Sequence, residues 1–196
     1  MRIIHRISLL GLGLLLAAAS CDTTPKDGSA DLSTEAGRKS VAAWATIYAV
    51  LEHPRCANCH PDDRVPKQGD DMHAHAQDIK AGADGRGGFG LHCDACHRAT
   101  NAGPSPLPPG APGWRMPSAE MPLVFVGKSS GELCRQLKDR RQNGNRSTEE
   151  IFEHLAKDPL VLWGWTPGEG RAAVPIPHEE LVKAVRAWID GGCGCP

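Results

Sequence analysis

Cys56-Ala57-Asn58-Cys59-His60 and Cys93-Asp94-Ala95-Cys96-His97 repeat one pattern: two cysteines separated by two residues, with histidine directly after the second. That spacing lets both sulfurs reach one edge of a flat macrocycle, while the His that follows falls under its centre. The pattern reads as covalent attachment of a c-type haem. Two thiols add to the two vinyl groups of each haem, and His60 and His97 become the proximal ligands of two irons. Four cysteines could instead cage a zinc ion, and a lone C-x-x-C could be a thiol redox pair. Neither alternative explains a His after both pairs.

Each proximal His leaves the opposite face of its iron to another side chain. His73 and His75 lie between the motifs in a glycine-rich stretch that can fold over either haem. Met121 precedes Pro122 in an extended segment, which suits a thioether ligand. His154 falls on the apolar side of an expected helix, where a core role competes with a ligand role. His75, His73, Met121 and His154 are therefore the distal candidates. His178, beside Glu179 and Glu180, reads as a solvated surface residue, and Trp163 and Trp165 are expected to wall a haem pocket. A Met ligand would raise the potential relative to a second His.

Working outward, Val41, Trp44, Tyr48 and Leu51 recur at helical spacing. Ser33 or Thr34 can cap that helix, and Pro54 should end it near His53. Ser129 with Glu132, and Ser147 with Glu150, are capping-box pairs ahead of two short helices. A last helix is expected from about Glu179 to Asp190, stopped by Gly191-Gly192. Residues 101–122 hold seven prolines and read as extended chain. The expected fold class is mainly α, a di-haem cytochrome c-like chain of short helices joined by long Gly/Pro-rich loops. Few aromatics and 22 glycines make a core hard to build without a large apolar cofactor.

At the start of the chain, Arg2 and Arg6 precede the apolar run Leu9–Ala19, which reads as a signal-peptide core, too short to span a bilayer. Ala18-Ala19-Ser20-Cys21 resembles the lipobox of bacterial lipoproteins, which implies lipidation at Cys21 and a membrane anchor. The expected organisation is a signal peptide at 1–20, a polar tether at 21–34 and one domain at 35–196. Without residues 1–20 the formal charge moves from −1 to −3, and no basic block suggests a nucleic-acid partner. Cys134, Cys193 and Cys195 remain. In an oxidising compartment a disulfide from Cys134 to Cys195 or Cys193 would pin the last helix to the body.

CANCHPDDRVPKQGDDMHAH (Cys56–His75), LHCDACH (Leu91–His97), GKSSGELCRQLKD (Gly127–Asp139) and EHLAKDPLVLWGWTPGEGR (Glu153–Arg171) together resemble a group of small exported di-haem proteins. These are often catalogued as isoquinoline 1-oxidoreductase subunits. The resemblance implies a partner of the molybdenum-hydroxylase type whose electrons leave through a cytochrome. No molybdopterin or flavin site is apparent in this chain. The expected role is an electron carrier on the periplasmic side of a bacterial membrane, working between redox partner proteins. The alternative is a small peroxidase-like enzyme or sensor, if one iron lacks a sixth protein ligand.

Overall fold

The computed structural model describes residues 31–196, and six α-helices dominate them. The expected signal peptide, the expected anchor at Cys21 and most of the expected tether lie outside the described residues. Helix α1 (Glu35–Leu51) starts where the Thr34 hydroxyl accepts the Gly37 amide at 3.0 Å. Pro54 opens the short α2 (Pro54–Ala57), which runs straight into the first C-x-x-C-H motif. Ser129/Glu132 and Ser147/Glu150 form both capping boxes, starting α3 (Ser130–Lys138) and α4 (Thr148–Lys157). Asp158 ends α4 and caps α5 (Pro159–Leu162). Helix α6 (His178–Asp190) stops at Gly191.

The core lies where α1 packs along α6, with α3 against α1. Trp44 of α1 and Trp188 of α6 meet with ring centres 5.3 Å apart, both fully buried. Ile47, Val50, Leu133, Leu181, Val185 and Ile189 fill the space around them. The buried Ser40 hydroxyl donates to the Trp188 carbonyl (2.7 Å) and accepts the Gly194 amide (2.8 Å), locking the chain end onto α1. Cys134 and Cys195 are joined by a disulfide, which staples α3 to that same chain end. Cys193 is fully buried and is not a free thiol.

From Asp62 to Lys128 the chain forms two short antiparallel hairpins and tight turns. Strand β1 (Lys67–Gln68) pairs with β2 (His73–Ala74), and β3 (Gly87–Gly88) pairs with β4 (Leu91–His92). The first hairpin is fastened to the first motif, because Arg55 Nη2 and Asn58 Nδ2 both donate to the Gly69 carbonyl. The second hairpin delivers the chain to Cys93, whose amide bonds the Arg86 carbonyl at 2.8 Å. Gly85 has φ +79°, and a Cβ there would run into the Met116 carbonyl, so the 112–119 strap can lie this close only over glycine. Among the described residues no helix is long and apolar enough to cross a membrane.

Candidate functional site

Each motif is wound as a helical turn, with the His amide bonded back to the Ala57 carbonyl (3.0 Å) or the Cys93 carbonyl (2.8 Å). The ring of His60 is then fixed from outside its own segment. Its Nδ1 donates to the Leu123 carbonyl at 2.7 Å, and its face stacks on Phe125 at 3.9 Å, 7° from parallel. The His60 carbonyl in turn accepts the Phe125 amide at 2.9 Å. His97 repeats the device: Nδ1 donates to the Pro109 carbonyl at 2.7 Å, and the ring stacks on Trp114 at 4.6 Å, 3° from parallel. A carbonyl can only accept, so both rings carry their proton on Nδ1 and keep the Nε2 lone pair for another bond. Metal-ligating imidazoles are held in this way, by an outer acceptor that fixes tautomer and orientation. Burial pushes the His60 pKa down to about 4, against the upward pull of the Leu123 hydrogen bond, and it lowers that of His97 as well. Both rings are therefore neutral at pH 7, as a ligand must be.

Cys56, Cys59, Cys93 and Cys96 are free thiols. Burial pushes Cys56 up to about 12 and Cys59 up to about 11, and it raises Cys93 too. Thiols so held are poor thiolate nucleophiles, unlike the reactive cysteine of a thiol oxidoreductase. Among the described residues no three His, Cys, Asp or Glu side chains converge as ligands of one metal ion, so the four thiols do not form a zinc cage.

Cys56, Cys59 and His60 face a cleft of about 110 Å³. Leu51, Leu123, Phe125, Leu137, Ile151 and Trp163 give it a largely apolar wall. Arg115, Arg146 and Arg55 bring positive charge to the same wall. Arg55 Nη2 pairs with Asp70, yet its buried Nε has no partner among the described residues. An unpaired buried donor beside an apolar slot suits a flat apolar ligand that carries carboxylates. His97 lines a second, more open cleft of about 280 Å³ with Arg86, Arg98 and Trp114. The residues present thus fit haem at the first motif, with thiols, a neutral imidazole, a largely apolar wall and arginines for the propionates; the second motif offers thiols, a neutral imidazole, the Trp114 face and two arginines in a more polar surround.

The distal candidates fall in different places. His154 lines the first cleft, and its Nδ1 lies 2.9 Å from Asp158 Oδ2. The ring of His75 lies 5.9 Å from that of His97, inclined at 70°. His73 is exposed, with Nδ1 on Asp71 and Nε2 on Gln68. Met121 is half-buried near Gly144 and does not line the first cleft. Trp163 walls that cleft, whereas Trp165 turns its Nε1–H to the Ile176 carbonyl. His178 is not the solvated residue its acidic neighbours suggest: it is half-buried, bonds the Leu155 carbonyl through Nε2 at 2.9 Å and packs edge-on to Trp165. Pro109, Leu123, Trp114 and Arg146 carry no motif that announces their part. Asp158 does have a readable cue, four residues after His154 on one helix face. No known protein family, curated protein or solved structure matches this chain.

Proposed function

We propose that this chain is a di-haem c-type cytochrome, an electron carrier anchored on the periplasmic side of a bacterial membrane. The supporting observation is the paired treatment of His60 and His97. Two unrelated stretches of chain each supply a carbonyl for Nδ1–H and an aromatic face for the ring, and each leaves Nε2 open. Such duplication is hard to explain unless both rings do the same work. Covalent haem would supply a one-electron couple at each motif, tuned by its ligands and burial. The protein's part is to hold the imidazoles neutral and aimed, to exclude water with Leu, Ile, Phe and Trp side chains, and to meet the propionates with Arg115, Arg146 and Arg55. The fold is then a cytochrome c-like assembly in which haem supplies interior that the loops lack. Its redox partners would be a periplasmic oxidoreductase, of the molybdenum-hydroxylase type that the resemblance implies, and a respiratory chain.

Intact-mass measurement of protein matured in a host able to attach haem tests this reading. Two haem masses are expected on the wild type, one on a Cys56→Ala/Cys59→Ala variant and one on a Cys93→Ala/Cys96→Ala variant. A wild-type mass without any haem would overturn it.

A further inference from the structure

We infer that His154 at the first site and His75 at the second are the opposite-face iron ligands, so that both irons are closed by two imidazoles. The inference rests on the di-haem reading and goes further, because it decides between a carrier and an enzyme with an open iron.

The geometry treats four of the described histidines alike. His60, His97, His75 and His154 each commit Nδ1–H to an oxygen: the carbonyls of Leu123, Pro109 and Ala76, and the carboxylate of Asp158. In each ring Nε2 has no hydrogen-bond partner among the described residues. The others differ. His73 has both nitrogens bonded, His178 uses Nε2 on a carbonyl, His53 accepts the Arg55 amide through Nδ1, and His92 is exposed with no ring hydrogen bond among the described residues. The four rings also fall into two pairs. His154 lines the cleft that holds Cys56, Cys59 and His60. His75 stands across from His97 with ring centres 5.9 Å apart. Two imidazoles each bonded at about 2 Å to one metal ion have ring centres roughly 6 Å apart. His75 is carried there by the first hairpin, since its amide bonds the Pro66 carbonyl at 2.8 Å.

Asp158 is the positioning residue of the first pair. Its Oδ2 holds His154, while its Oδ1 accepts the Leu160 amide at 2.9 Å as the cap of α5. The carboxylate is thus anchored independently of the ring. A carboxylate acceptor raises the basicity of the imidazole it holds. Replacing it with an amide should weaken that donation and raise one potential of the two.

Spectroscopy of the haem-loaded protein is the test. In the oxidised wild type, two low-spin signals of the bis-imidazole kind are expected, and the reduced protein should bind no carbon monoxide. His154→Ala should turn one haem high-spin and bind one equivalent of carbon monoxide. His75→Ala should do the same to the other, and His73→Ala should do neither. Should His154→Ala not accumulate, His154→Gly supplied with free imidazole is expected to regain the low-spin signal. Asp158→Asn, which keeps an oxygen for the α5 cap, should raise one reduction potential, and Asp158→Glu should restore it. Equal potentials in all three would remove Asp158 from this role. A methionine–iron band abolished by Met121→Leu, or a wild type with one haem open to carbon monoxide, would overturn the ligand assignment while two covalent haem masses left the di-haem reading standing. Loss of those masses would overturn both.

Discussion

Two regions of the molecule are held together by different means. Helices α1, α3 and α6 bury Trp44, Ile47, Val50, Leu133, Leu181, Val185, Trp188 and Ile189 against one another, and a disulfide closes the arrangement. Between Asp62 and Lys128 the buried apolar side chains are only Ala81, Ala111, Met116 and Phe125. Hydrogen bonds from cations carry that region instead. Arg64 spans the carbonyls of Gly82 (2.6 Å), Pro117 (3.3 Å) and Ser118 (3.0 Å), and Arg171 reaches those of Leu107, Gly103 and Pro167. Burial of apolar area is the dominant favourable term in folding, while a polar bond contributes little net. The helical part is thus held mainly by apolar burial, and the loop region mainly by hydrogen bonds. The first motif sits where the two regions join, and the second lies within the loops.

The sharpest way to break this contrast is at Trp188. Trp188→Ala empties a fully buried site and should cost about 4 kcal/mol, read as a cooperative shift of the whole urea transition. Cys134→Ser with Cys195→Ser reopens a loop of 61 residues and should also lower stability, by about 4 kcal/mol or somewhat less in the chain-entropy model. In the loop region, Arg64→Ala should cost about 2 kcal/mol. The loss should appear as faster amide exchange confined to residues 62–128, with α1 and α6 still protected. If α1 exchanged equally fast, the two regions would be one cooperative unit. The smallest effect is expected from Ser147→Ala, which removes one capping box from α4 for about 1 kcal/mol, seen as fraying of that helix alone.

Legibility in the sequence tracked the range of the interactions. The two C-x-x-C-H motifs, both capping boxes and the Pro54 boundary are local signals, and the structure carries the helices where those signals put them. Trp44 and Leu51 also read correctly as core, although Ile47 and Val50, equally buried, fell outside the spacing chosen. What could not be read came from contacts distant along the chain. The acceptor for His60 is a carbonyl 63 residues away, and every residue has a carbonyl, so no side-chain type marks it. His178 reads as solvated from its acidic neighbours in sequence, while the Leu155 carbonyl that holds it is on another helix. Met121 is marked in the sequence by the proline after it, yet the fold places it beside Gly144 and outside the first cleft.

Trp114 makes two closely spaced sites depend on each other. Its indole covers His97 on one side, meets Trp163 edge-on at 4.9 Å, and belongs to the walls of both clefts. A single ring thus serves as the partition between neighbouring chambers. A shift of that ring would redraw the wall of both chambers at once.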